Sequence, residues 1–381
     1  MKHVLLIAFS NLKTDSRVRR HVNLLKNKYR LTVACHEADA TTEYKLALID
    51  KAILTPARKI KLALMLGLRL FKQAYRTQYP HFSLGQQISE PLDLIIANDV
   101  EALPLAFHLA EEHACPVVLD AHEYAPRHFE DKLIWRLFFQ PLNIYLCRTY
   151  IPRVKAMITI GRGLANEYEK HFHIKPVVIT NANHFHNLTP SAVQGNSIRL
   201  VHHGIATPSR KLEVMIEMMN YLDERFSLDM YLLSSGSVSS KTKNYPVDLK
   251  ALASKNSRVR ILDPIKSELI VTTINAYDMG VFLIPPINFN YENTLPNKLF
   301  DFIQARLAIA VGPTPEMAEI VNRYSLGVVS NDFTAKSLAE KLNQLTIEDI
   351  ARFKANTETA AQQLNAEENA KILIDVIERS F

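Results

Sequence analysis

No stretch of the 381-residue chain contains the roughly 18 consecutive apolar residues that carry a helix across a bilayer, so no transmembrane helix is expected. Cysteine is nearly missing: Cys35, Cys115 and Cys147 are the only three. They form neither a CxxC pair nor an even framework, and each lies in or beside an apolar run, which predicts reduced core thiols rather than a disulfide scaffold. Glycine is scarce, at 10 residues, and no glycine-rich phosphate loop is present. The nearest candidate, Gly161-Arg-Gly163, has Asn166 where a dinucleotide fingerprint needs its third glycine. There is no Asp-x-Asp pair and no His/Cys cluster with metal spacing, so neither a metal nor a cofactor is expected. Internal repeats and low-complexity tracts are absent as well. The opening Met1-Lys-His-Val-Leu-Leu-Ile-Ala8 runs straight into a strand with no cleavage site, which predicts a cytoplasmic chain without a signal peptide.

The length exceeds one ordinary domain and suggests two. A formal charge of +6 suits anionic partners, of which nucleotide sugars, anionic lipid surfaces and nucleic acid all qualify. Nucleic acid is not expected, because no basic and aromatic module accompanies the charge. Short apolar runs at 4–8, 31–35, 92–97, 116–119 and 154–160 read as buried parallel strands alternating with helices, and 176–180 closes this series. A polar, proline-containing stretch at 184–196 has no period and reads as a linker between domains at 1–183 and 197–364. A fresh strand at 198–203 opens the second α/β series, which continues at 228–233 (ending in a Ser-Gly loop at 234–237), 259–262, 279–284 and 307–311. Residues 365–381 form a last amphipathic helix. From Pro56 to Arg76 a very apolar helix is expected, punctuated by Arg58, Lys59, Lys61, Arg69, Lys72 and Arg76 with no acidic residue. Such a helix docks on anionic membranes, or buries its apolar side and leaves its cations solvated.

The most informative stretch is Tyr291-Glu-Asn-Thr-Leu-Pro-Asn-Lys-Leu-Phe-Asp301 and the apolar helix and strand after it. Asn297, Lys298 and Asp301 fall in the first turn and a half, where unpaired backbone N–H groups and the positive end of the dipole attract an anion. Lys298 would add a charge for a diphosphate, and Asp301 would accept hydrogen bonds from a diol. A diphosphate and a diol together describe a sugar nucleotide, although an ordinary αβ unit fits the hydrophobic pattern equally well.

These residues also carry a resemblance. Pro296-Asn-Lys-Leu-Phe-Asp301 with the strand Leu-Ala-Ile-Ala-Val311 resembles the "PNKLFEYMAAGLPVV" segment of family-four-like GT-B glycosyltransferases. The likeness runs along most of the chain. Asn11, Asp15 and Arg17 match an "N…D.RVRREA" opening, and Asp120-Ala-His-Glu-Tyr124 matches "D.HEY". Gly204 and Arg210 match "hG.l...RgLe", and Glu319 falls near the acid of "PG..EVV". The resemblance implies two Rossmann-like doubly wound domains facing a cleft, with the last helix crossing back to the first domain. It implies His122 near the anomeric centre, Arg210 and Lys298 on the diphosphate, and Asn297, Asp301, Glu292, Asn293, Gly204 and Glu319 on the donor. Asn11, Asp15, Arg17, Asp99 and Glu123 would stand on the acceptor side. Sugar transfer would be metal-independent and would retain configuration, in surface polysaccharide or glycolipid assembly on the inner face of a membrane. Two departures stand out: Ile205 replaces an arginine that some relatives carry, and Asn293, with Glu292 one step off register, replaces the first of two glutamates. Two other readings stay open: a sugar-nucleotide epimerase, which shares this two-domain architecture, and a non-catalytic partner subunit, because the first acid of the pair is missing.

Overall fold

A computed structural model describes every residue except 52–53, 80–81 and 235–239; the Ser-Gly loop expected after the strand at 228–233 therefore lies mostly outside the described residues. The chain divides into two compact units. One comprises Met1–Thr180, Asn288–Asn290 and Ala370–Phe381; the other comprises Asn181–Ile287 and Tyr291–Asn369.

Among the described residues, the first unit holds a seven-stranded, wholly parallel sheet. Its strands are β1 (His3–Ala8), β2 (Arg30–Cys35), β3 (Lys45–Leu48), β4 (Leu94–Asn98), β5 (Val117–Ala121), β6 (Ala156–Thr159) and β7 (Val177–Val178), in the order 3-2-1-4-5-6-7. Both faces are covered. Leu5 and Ile7 point into one apolar cluster, while Val4, Leu6 and Ala8 point into another, the alternation of a strand buried on both sides. The second cluster is completed by Leu373, Val376 and Ile377 from the chain's end, and Lys2 lies 3.5 Å over the Phe381 ring.

Among the described residues, the second unit repeats the plan with six parallel strands: β8 (Ile198–Ala206), β9 (Phe226–Ser234), β10 (Val259–Leu262), β11 (Met279–Phe282), β12 (Ala308–Val311) and β13 (Gly327–Val329), in the order 10-9-8-11-12-13. In each unit the strand order reverses beside the first strand, between β1 and β4 and between β8 and β11. Open α/β sheets hold their ligands at the carboxyl ends of strands flanking such a reversal.

One local expectation changes. The helix expected from Pro56 to Arg76 is two helices, Pro56–Gly67 and Phe71–Gln78, because Arg69 between them takes a left-handed φ of 59° that no helix tolerates. After β4, a tight turn at Val100–Ala102 leads into the helix Leu103–His113.

Candidate functional site

In the second unit, Asn297–Gln304 is helical, and its N-cap is Pro296, whose side chain supplies no capping bond. The Leu299 N–H bonds the Pro296 carbonyl at 3.2 Å, and the positive end of the helix dipole lies at this turn. Lys298 in that turn is buried, with Nζ 3.3 Å from His202 Nε2 and 4.1 Å from the centre of the Phe282 ring. His202 Nδ1 is 2.9 Å from the carbonyl oxygen of Val281 and donates to it, which leaves Nε2 as an acceptor for the ammonium. Burial, then the nearby Arg210 guanidinium, hold the Lys298 amine well below its usual range. Burial and Lys298 likewise keep His202 neutral.

Gly204, at the end of β8, shows why its side chain is missing. Its φ is +133°, and a Cβ there would stand 3.1 Å from Lys298 Nζ and 3.6 Å from an Arg210 Nη atom. Two basic side chains therefore converge over bare backbone beside the start of this helix. The Arg210 side chain is steered there by its bond to the Ile205 carbonyl at 3.1 Å. Like charges brought together under low dielectric call for an anion between them.

The other expected donor residues are distributed unevenly. Asp301 is 5% exposed; one carboxylate oxygen accepts from Asn183 Nδ2 at 3.1 Å, and the other lies 3.5 Å from His203 Nε2. His203 is nevertheless held down to about 3 by burial, Lys298 and Arg210, so that approach is not an ion pair. A carboxylate has about four acceptor sites, and Asp301 can serve a diol only with those left over. Asn293 is buried, whereas Glu292 and Asn297 are exposed. In the helix Pro315–Arg323, Glu319 is exposed, and the buried acid of the first turn is Glu316.

In the first unit, a charged network lies at the ends of β4 and β5. Asp120 is fully buried and gripped by Arg17 through Nε (2.9 Å) and a terminal nitrogen (2.7 Å). Burial opposes its ionisation, but Arg17 and His122 outweigh it and hold the carboxyl well below the usual range. Arg17 also donates to the Ile179 carbonyl and is itself buried, so its guanidinium organises the interior rather than facing an acceptor. His122 lies 3.4 Å from Asp120 and 3.5 Å from Asp99. Burial disfavours its charge, but the two aspartates outweigh burial and push its pKa up to about 9, so it is an imidazolium at neutral pH. Asp99 has φ 63° and ψ 159°, a region nearly reserved for glycine, and accepts the His122 backbone N–H at 2.9 Å.

Of the remaining acceptor-side expectations, Asn11 donates to Glu37 and Glu123 pairs with His128 at 2.7 Å. Asp15 caps the helix Ser16–Leu25 through the Val18 N–H. Asp15 and Asp99 also line a pocket of about 250 Å³ at the β1/β4 reversal, with Phe9, His36, Tyr79, Asn98 and Glu101 among its other walls. Burial, then Asp99, push the Glu101 carboxyl up to about 7. Sequence reasoning did not single out His202, His203, Asn183, Phe9, Tyr79 or Glu101. The only signal was polar residues ending otherwise apolar runs. Among the described residues, no group of three or more His, Cys, Asp or Glu is arranged to hold a metal ion.

No protein-family model matches the sequence, and a search of curated proteins finds no match. Solved structures do match in fold. HepE from Anabaena in complex with UDP-glucose aligns with a TM-score of 0.69, covering 99% of this chain and 100% of that one at 14% identity. Sucrose-phosphate synthase from Thermosynechococcus elongatus aligns at 0.73, covering 100% and 99% at 11% identity. An α,α-trehalose-phosphate synthase (UDP-forming) from Burkholderia vietnamiensis aligns at 0.69, covering 99% and 100% at 10% identity. At these identities the likeness is one of fold, and the fold is GT-B, with two Rossmann-like α/β domains.

Proposed function

We propose that this chain is a glycosyltransferase of the family-four-like kind, moving a sugar from a nucleoside-diphosphate sugar to a hydroxyl of a glycan or lipid-linked acceptor. The observation that carries the proposal is the convergence of Lys298 and Arg210 over Gly204 beside the start of the Asn297–Gln304 helix. In this reading those groups neutralise the diphosphate as it leaves, which is where preorganised charge lowers the barrier most, and a divalent cation is not needed for that task. Asp301, with Asn183 and His203 fixing its orientation, takes the ribose diol. In the first unit the imidazolium of His122 donates a hydrogen bond to a sugar hydroxyl; already protonated, it is unsuited to the role of general base. Retention of configuration, with the departing phosphate taking the acceptor proton, fits that absence of a basic imidazole.

The experiment is a panel of nucleotide sugars given to the full-length protein, with thermal stabilisation and release of nucleoside diphosphate as readouts. UDP-glucose heads the panel because HepE was solved with it. Stabilisation and slow donor hydrolysis by at least one member are expected. Failure of every member to stabilise the protein would remove the proposal, and conversion of a donor to its epimer without an acceptor would favour the epimerase.

A membrane surface is the second partner we propose. Ile60, Leu64 and Leu68 are 62–69% exposed, and Leu133, Ile134 and Leu137 are 55–71% exposed. They lie on the helices Pro56–Gly67 and Leu133–Tyr150 and the residue just past the first, and the two helices pack together near Gly67 and Phe138. Exposed Lys59, Lys61, Arg69, Lys132 and Arg136 accompany them. Apolar side chains interleaved with cations suit an anionic bilayer interface. Co-sedimentation with vesicles containing anionic lipid, lost in Leu64→Glu/Ile134→Glu and absent with neutral vesicles, is expected; equal recovery of the double variant would contradict it.

A further inference from the structure

A second pocket of about 250 Å³ in the first unit is built from helices alone. Among the described residues, its lining comes from Phe71–Gln78, Leu103–His113, Leu133–Tyr150 and Arg153 just beyond them. No strand end contributes, so this is not the position where an open α/β sheet holds its substrates. The lining is rich in donors. Lys72 and Arg76 lie one turn apart on Phe71–Gln78, a helix with no acidic residue. Like charges at that spacing repel, and Lys72 also falls in the first turn, where the helix dipole disfavours a cation. Among the described residues Lys72 forms no ion pair. A third cation, Arg153, donates to Glu111 at 2.8 Å, and Glu111 is the one acid among the described lining residues. The charges of Lys72 and Arg76 are therefore left over.

Aromatic rings supply the rest. Phe107 is stacked on Tyr150 (centroids 5.6 Å apart, 26° between planes) with the Arg153 guanidinium 4.3 Å over its centre, and Tyr145 packs against Phe71 at 5.2 Å. Neither the Tyr145 nor the Tyr150 hydroxyl has a hydrogen-bond partner among the described residues. Burial, then Tyr145, push the Tyr150 phenol up, so it stays protonated, and both Arg153 and Arg76 are within its electrostatic reach. We infer that this pocket binds a phosphate monoester, its phosphate held by Lys72, Arg76 and the two tyrosine hydroxyls and its organic part against the rings. A phosphate carries roughly −1.5 to −2 charge and three strong acceptor oxygens at neutral pH, which answers two uncompensated cations and two idle donors together. A carboxylate brings half that charge, and a neutral sugar would add donors to a lining that already has too many. A soluble ester and the headgroup of an anionic lipid both present this chemistry. Nothing in the pocket depends on sugar transfer.

The test titrates phenyl phosphate and benzoate into the full-length protein in phosphate-free buffer, by calorimetry, with excess UDP present to fill the Lys298–Arg210 site. Phenyl phosphate is expected to bind at least about tenfold more tightly than benzoate. Lys72→Gln/Arg76→Gln should weaken it by about tenfold or more, and Tyr145→Phe/Tyr150→Phe several-fold, while both leave UDP affinity alone. A second arm compares vesicles of phosphatidic acid, a monoester, with vesicles of phosphatidylglycerol, a diester, at matched surface charge. A preference for phosphatidic acid that Tyr145→Phe/Tyr150→Phe removes assigns the ester to a lipid; equal recovery beside tight phenyl phosphate binding assigns it to a soluble molecule. Absence of monoester binding in both arms, benzoate binding as tight as phenyl phosphate, or full-strength binding by Lys72→Gln/Arg76→Gln would overturn the inference and leave the proposed function standing. Failure of the unaltered protein to bind UDP would instead count against the proposed function alone.

Discussion

Replacing Lys298 by methionine separates a ligand-binding lysine from a structural one, because the two roles predict opposite signs. Lys298 is 6% exposed, and its amine is pressed by Arg210 and touches a neutral imidazole and the Phe282 ring. A buried cation so placed destabilises the ligand-free fold, so methionine of similar length should leave stability unchanged or raise it. Diphosphate binding should suffer. A unit charge about 4 Å away at an effective dielectric of 20 is worth about 4 kcal/mol before desolvation, and a charge-assisted hydrogen bond nets about 1.5–3 kcal/mol. The smaller range governs, giving a loss of roughly 10- to 150-fold in UDP affinity. Proton linkage adds a second signature. The folded pKa of Lys298 lies below its unfolded value, so through this group stability rises with pH in the window between the two. A bound diphosphate draws the pKa back up, and binding within that window must take up protons. Calorimetry in buffers of different ionisation enthalpy should show this uptake in the wild type and less of it in Lys298→Met. A variant that is less stable yet binds UDP normally would refute the assignment.

Three other predictions are independent of that one. Gly204→Ala should lower UDP affinity and cost about 1–3 kcal/mol of stability, because φ is +133° and the new Cβ meets Lys298 Nζ at 3.1 Å; unchanged denaturation midpoint and affinity would contradict this. Arg17→Met, which strips Asp120 of its bidentate partner, should cost about 3–5 kcal/mol in chemical denaturation, and a loss below about 1 kcal/mol would show that the pair is not what holds Asp120. His122 has a folded pKa raised to about 9, so its contribution to stability is complete below about 6.5 and is lost as pH rises through about 9. The stability gap between wild type and His122→Gln should therefore shrink across that window, and turnover by the variant should fall with little change in UDP affinity. A gap that grows with pH would reverse the sign of the shift.

Most of the fold was legible because its strands are buried on both faces and read as continuous apolar runs; β4 and β12 are buried throughout. The edge strand β3 was not legible, since only Ala47 of its four residues is buried and no run forms. The break at Arg69 was hidden for a different reason: Leu68-Arg69-Leu70 contains neither glycine nor proline, so nothing local marks the left-handed turn. In the site, the cations Arg210 and Lys298 could be found from their motifs. Their environment could not: His202 reads as the end of an apolar strand, and Phe282 as core. Arg17 shows the limit most clearly. The resemblance put it on the acceptor side, but its partner Asp120 lies 103 residues away, and only the register of β1, β4 and β5 brings the two together. Asp301 was expected to be open to a ligand, yet it is enclosed by Asn183 and His203, contacts that its own helix does not encode.

The most direct measurement is a crystal structure of the full-length protein with UDP. The account predicts diphosphate oxygens within hydrogen-bond distance of Lys298 Nζ, the Arg210 guanidinium and first-turn N–H groups of the Asn297–Gln304 helix, with the ribose hydroxyls toward Asp301. A nucleotide seated elsewhere, with Lys298 still against His202 and Phe282 and no anion beside it, would contradict it.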